Sequence, residues 1–245
     1  MTGRRRCLLA LVLFALCAAP TAAAPEATPR LNILAAASLT EVFKRIDARQ
    51  AYSFGGSNQL AFQIRQGAPA DVFVSASPLY TQRLFLEGLV ERPRFLVTNS
   101  LVLAIPRSNP AGIRTVFDLE QKDVKLVVGT PQVPVGAYTR EVLQRLGMTS
   151  VLDKVVSQEP DVKGIVGKVA LAQADAGFVY HTDIAPVASR VRGIAIPGWA
   201  QPNVRYEIAV VKAGKRKAAA RAWVKKIRTG PRARKLLRQA GFGLK

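Results

Sequence analysis

The chain has 245 residues, 49% of them hydrophobic and 21% charged. That composition excludes an intrinsically disordered protein, and the length suits one large domain or two small lobes. The formal net charge is +20, with two cysteines and one histidine, so neither a disulfide scaffold nor a transition-metal centre has the side chains it needs.

The first segment reads as a leader. Arg4, Arg5 and Arg6 precede an apolar run from Leu8 to Ala19, and Pro20 to Pro25 enclose the small residues Ala22–Ala24. This is the pattern of a secretory signal peptide, residues 1–24, cleaved near Ala24. The apolar run is too short to span a bilayer. The arginines also resemble a twin-arginine signal, and Leu16 before Cys17 argues against a lipid anchor. Cys7 and Cys17 both lie here, so the exported part has no cysteine and relies on its core.

Beyond the leader, short apolar runs alternate with helical patterns. Strands are predicted at Leu31–Ala36, Tyr52–Phe54, Asp71–Ser75, Ser100–Ile105, Lys125–Val128, Ala176–Tyr180 and Tyr206–Val211. Helices are predicted at Leu39–Ala48, Gln59–Gln66, Pro78–Glu87, Val116–Leu119, Gly136–Leu146 and Asp161–Ala174, several of them stopped by glycine. This alternation predicts an α/β fold with mainly parallel sheets flanked by helices. The Pro-rich stretches Pro106–Pro110 and Ile196–Pro202 bracket a middle segment. The expected organisation is a discontinuous first lobe, 30–104 and 206–245, and a second lobe, 105–205.

From Lys212 to Lys245 there are thirteen Lys or Arg and no Asp or Glu. Such a run suits a nucleic-acid or acidic-membrane patch. However, Ala222, Trp223, Ile227, Leu236 and Leu237 recur at spacings that fit amphipathic helices docked on a core, and no nucleic-acid-binding module accompanies them. The docked reading is favoured, and no nucleic-acid partner is expected.

Four strand-to-helix turns carry the candidate chemistry. Ser38-Leu-Thr-Glu41 is a capping-box pattern. In Gly55-Gly56-Ser57-Asn58 two glycines permit close backbone approach or unusual dihedrals. Val133-Pro134-Val135-Gly136 places proline at a helix start and leaves the next N–H groups free. Asp161 is a natural N-cap before Val162. Each helix N-terminus offers about half a positive charge with directed donors. Several converging would suit a small dianion.

Taken together in order, these pieces resemble the molybdate-binding proteins of ABC importers. The matching residues are Ala35–Thr40, Phe54–Leu60, Gln63–Ala76, Asn99–Leu103, Val133–Tyr138, Asp161–Val162 and Ala174–Tyr180, nearly the whole exported chain. The resemblance implies a two-lobed periplasmic-binding fold of type II with a ligand cleft between the lobes. It implies that Ser38 and Ser57 bind the oxyanion from the first lobe, and that the N–H groups of Val135 and Val162 and the phenol of Tyr180 bind it from the second. The same family carries its ligand, molybdate or the nearly isosteric tungstate, to a membrane permease without a cofactor, as an exported monomer. The chain departs from the family pattern in a short Ser38–Tyr52 segment and in Val135, where a smaller residue is common.

Two rivals have weaker support. Ser38 or Ser57 with His181 and Asp183 would make a hydrolase set, but there is no Gly-x-Ser-x-Gly motif. Sulfate is the alternative oxyanion. A cavity lined only with donors disfavours phosphate, which must keep a proton that needs an acceptor. Closure over the ion would bend hinge strands near Leu101–Ile105 and Tyr206–Val211.

Overall fold

The computed structural model describes residues 30–244. The expected leader, with its arginines and both cysteines, lies outside these residues. The first sheet has the order β2-β1-β3-β10-β4, built from β1 (Asn32–Ala36), β2 (Ala51–Gly55), β3 (Val72–Ser75), β4 (Arg94–Asn99) and β10 (Val204–Val210). The second sheet has the order β7-β6-β8-β5-β9, from β5 (Leu101–Pro106), β6 (Leu126–Gly129), β7 (Val155–Glu159), β8 (Ala176–Tyr180) and β9 (Val191–Ala195). Both sheets are mixed. β1 runs parallel to β2 and β3, whereas β10 runs antiparallel to β3 and β4. In the second sheet β6 is parallel to β7 and β8, and β5 is antiparallel to β8 and β9. The fold is thus the two-lobed α/β architecture, with less parallel pairing than the alternation of elements predicts.

The expected boundary after residue 104 falls inside β5, a strand of the second sheet. Val102–Pro106 pairs with β9, down to Pro106 opposite Val191. The chain therefore leaves the first sheet between Asn99 and Leu101, and Pro106 ends a strand instead of opening a linker. It returns within residues 196–203, ahead of β10. The expected hinge strands are β5 and β10, each inside a sheet. The chain crosses between the sheets next to them, at Ser100 and within 196–203.

Period-two alternation builds the core of the first lobe. Ile33, Ala35, Val72, Val74, Ile208 and Val210 face the larger core cluster. Leu34, Phe73 and Ala209 face the opposite side, where they meet Leu60 and Ile64 of α2 (Ser57–Arg65) and Leu84 of α3 (Pro78–Leu86). α1 spans Thr40–Ile46 and α4 spans Asp118–Gln121. α5 (Pro134–Leu146) and α6 (Val162–Ala170) cover the second sheet. α5 ends at Gly147, which takes φ +73°, a left-handed position that glycine adopts without strain.

The basic tail forms α7 (Lys217–Thr229) and α8 (Pro231–Gln239). Ala220, Trp223, Val224, Ile227, Ala233 and Leu237 are buried, and the Trp223 ring meets Phe43 edge-on at 5.6 Å. On the polar side Arg216 pairs with Asp71, Arg221 with Glu91 and Lys226 with Asp47. These are docked amphipathic helices, as the spacing predicts, except that Ala222 is exposed and Leu236 only partly buried.

Candidate functional site

Ser38, Ser57, Val135, Val162 and Tyr180, scattered over more than 140 positions of sequence, line one small cavity. All five are buried. The other lining residues are Ala36, Ala37, Gly55, Gly56, Ala76, Val133, Pro134 and Asp161. The space between them free of protein atoms is about 210 Å³, its open mouth included. No lining residue is Lys or Arg, and the one carboxylate, Asp161, is turned away into its own helix.

Three helix N-termini reach this cavity. In α2 the first intrahelical donor is the N–H of Leu60, to the Gly56 carbonyl at 3.0 Å, so the N–H groups of Ser57 and Asn58 precede the ladder. In α5 the ladder begins with Ala137 N–H to the Val133 carbonyl at 3.0 Å. Pro134 has no N–H, and those of Val135 and Gly136 come before that bond. In α6 the Asp161 carboxylate accepts from the N–H groups of Lys163 at 2.7 Å and Gly164 at 3.2 Å. The cap therefore leaves the N–H of Val162, the first helical residue, unused.

The hydroxyls complete the donor set. Ser57 Oγ accepts from the N–H of Ala76 at 3.1 Å. With its acceptor side occupied, its proton is left for the cavity. Tyr180 closes the second-lobe side. Its hydroxyl is buried and meets no protein partner among the described residues. Burial pushes this phenol well above its ordinary pKa, so it stays a donor.

Ser38 departs from the capping-box reading. It sits inside a 3₁₀ turn, Ala37–Leu39, with no side-chain cap on that turn or on α1. Its Oγ lies 2.7 Å from the hydroxyl of Tyr206, which competes successfully for it. The glycines of the second turn are also corrected in part. Gly56 has an ordinary φ of −64°, and Gly55 is not among the residues with positive φ. Close approach is what Gly56 serves. A Cβ there would sit 2.4 Å from the Pro160 carbonyl oxygen and 3.2 Å from Val133 Cγ2, both in the second lobe.

The residues that hold the two lobes together here had no role in the sequence reading. Tyr80 of α3 donates to the Gln132 carbonyl across the cleft. Tyr138 of α5 donates the other way, to the Ala76 carbonyl at 3.3 Å. Asn99 donates to Thr182 at 2.9 Å, and the Tyr206 ring meets Tyr180 at 5.9 Å and Phe242 at 5.6 Å. Nothing in composition or periodicity marks a tyrosine as a bridge between lobes. Only the order of the two sheets puts Tyr206 under Ser38.

The hydrolase set does not assemble. His181 is exposed, whereas Asp183 is buried with Lys163 Nζ 3.1 Å away, and the two serines bond Tyr206 and Ala76 instead. Among the described residues no group of three His, Cys, Asp or Glu is placed to hold a metal ion.

Comparison with known proteins matches residues 31–243 to the family model of bacterial extracellular solute-binding proteins. The molybdate-binding protein ModA of Mycobacterium tuberculosis is 35% identical over 220 residues, covering 86% of this chain and 83% of the relative. ModA of Escherichia coli is 31% identical over 237 residues, covering 88% and 90%. Among solved structures, the periplasmic molybdate-binding protein of Azotobacter vinelandii superposes with a TM-score of 0.77 at 22% identity, covering 88% of this chain and all of that one. With a family model spanning most of the chain and relatives above 30% identity over most of their own length, the chain belongs to the bacterial extracellular solute-binding proteins, a family of transport proteins and not of enzymes, alongside ModA.

Proposed function

We propose that the protein is the substrate-binding component of an ABC importer, capturing molybdate in the interlobe cavity and delivering it to a membrane permease. The observation that carries this reading is the donor set. Ser38, Ser57, Val135, Val162 and Tyr180 supply hydroxyls and N–H groups to one small buried space whose lining has no cationic side chain. A tetrahedral dianion accepts hydrogen bonds on every oxygen and needs no proton acceptor in return. Three helix N-termini add a field that favours negative charge. Tungstate has the same shape and charge, so it belongs to the same ligand class. No cofactor takes part and no bond is made or broken. The protein acts as an exported monomer, its leader removed near Ala24, and its basic helices serve the first-lobe core and not a nucleic acid.

Calorimetric titration with molybdate, tungstate, sulfate and phosphate tests this. The expected result is saturable 1:1 heat with molybdate and tungstate, far weaker binding of sulfate and none of phosphate. Sulfate binding tighter than molybdate would move the assignment to the alternative oxyanion. No heat with either of the first two would overturn it.

A further inference from the structure

We infer that Tyr206 and Asn99, which lie behind the cavity, fix the direction of the Ser38 hydroxyl, so that Tyr206 is a positioning residue of the anion site. The inference rests on reading that site as an oxyanion site. The order of protons can be followed from one backbone group. The N–H of Ser100 donates to Asn99 Oδ1 at 2.9 Å, which makes the other end of that amide, Nδ2, the donor end. Asn99 Nδ2 donates to Thr182 Oγ1 at 2.9 Å and faces the Tyr206 hydroxyl at 3.4 Å.

The Tyr206 oxygen thus faces a donor on one side. Its remaining polar neighbour is Ser38 Oγ, 2.7 Å away, and the phenol proton goes there. Ser38 is left accepting from Tyr206, with its single proton free for the cavity. The reverse order would aim two donors at the same phenol oxygen and give its own proton no acceptor. It would also present the Ser38 lone pairs, not its proton, to an anion. Burial raises the Tyr206 pKa far above its ordinary value, which keeps the phenol protonated and the order intact.

The fold supports this placement. The ladder between β10 and β4 shifts register between Tyr206 and Glu207, an irregularity of the kind that re-aims a side chain beside a site. Ser100, where the order of protons begins, is the residue at which the chain crosses from the first sheet to the second. Thr182, on the same amide, lies two residues past Tyr180. The donor pattern at Ser38 is therefore tied to the junction between lobes.

A double-mutant cycle tests the inference, reading molybdate affinity by calorimetry and apo-protein stability by thermal melting. Tyr206→Phe is expected to weaken binding about five- to twentyfold, since a mis-set donor to a charged group is lost. In a Ser38→Ala background the same change should alter affinity less than about twofold, because its effect runs through Ser38. A purely structural role would lower the melting temperature and weaken both backgrounds alike, overturning the inference. So would wild-type affinity in Tyr206→Phe. Asn99→Leu carries the same cycle should Tyr206→Phe fail to fold. If the wild-type protein takes up no molybdate, the oxyanion reading itself falls and the inference with it. If the wild type binds and only the cycle fails, the inference alone is lost.

Discussion

The two lobes hold opposite walls of one cavity with different chemistry. The first presents two side-chain hydroxyls, Ser38 and Ser57, each with its oxygen within hydrogen-bond reach of a protein partner, beside the N–H groups at the start of α2. The second presents main-chain N–H groups at the starts of α5 and α6, plus one phenol. A hydroxyl donor is lost whenever its side chain is replaced. A main-chain donor persists through any substitution except proline. The second lobe can therefore vary its side chains while keeping its donors.

The largest test of that contrast is to keep the lobes apart. Gly56→Val places carbon where the Pro160 carbonyl oxygen would be 2.4 Å from Cβ, well inside contact distance. The second-lobe donors can then no longer close on the ion. Losing two or three charge-assisted hydrogen bonds, each worth about 1.5–3 kcal/mol, predicts roughly a thousandfold weaker binding by calorimetry. The first lobe should still fold, because φ at Gly56 suits any residue. Near-wild-type affinity would show that the lobes need not approach this closely.

Next comes the main-chain donor of Val162. This residue is the first of α6, and Asp161 before it is extended at φ −154°, ψ 174°, which is what a following proline requires. Val162→Pro should keep the helix and delete one N–H, weakening molybdate binding by up to about a hundredfold. Val162→Ala should stay within about threefold of wild type. Equal losses in both variants would mean the side chain, not the N–H, makes the contact. In the first lobe the pattern inverts. Ser38→Ala and Ser57→Ala each delete a donor by side-chain truncation alone, costing about tenfold in the same titration.

How much of this was legible from sequence follows the same division. The turns themselves announce their chemistry locally: Pro134 at a helix start, Asp161 as a cap and Gly56 before Ser57 are short-range signals. They place three of the five candidate site residues, Ser57, Val135 and Val162, at helix starts, and the family pattern adds Tyr180 at a strand end. Edge and partly exposed strands were harder to see. β7 (VVSQE) is exposed at alternate positions and β9 (VRGIA) is mostly exposed, so neither forms an apolar run. β4 opens on Arg94 and closes on Thr98 and Asn99, which leaves an apolar stretch of only Phe95–Val97. The partner of Ser38 was invisible because it lies 168 residues away, in a strand whose neighbours only the full topology decides. The capping box misled because Ser38-x-x-Glu41 describes what a serine can do locally, whereas a buried phenol on β10 offers it a better-shielded bond.

The smallest expected effect concerns pH and separates the two walls once more. Serine hydroxyls and main-chain N–H groups do not titrate in the working range, so Tyr180 is the one donor of the five that alkali can remove. Ionisation there would also set a negative charge against the dianion. An exposed phenol begins to ionise near pH 9. Burial raises the pKa of Tyr180 well above the ordinary value, so the donor form, complete below the ordinary pKa, is lost only when pH passes the raised one. Molybdate remains the dianion across this interval. Affinity measured from pH 7 to pH 9.5 should therefore change by less than about twofold, and Tyr180→Phe should bind more weakly but with the same flat profile. A decline setting in near pH 9 in the wild type and absent from Tyr180→Phe would show that solvent reaches the phenol, and that the second wall is wetter than its buried geometry requires. A decline present in both would assign the titration to another group and leave the role of Tyr180 as a neutral donor standing.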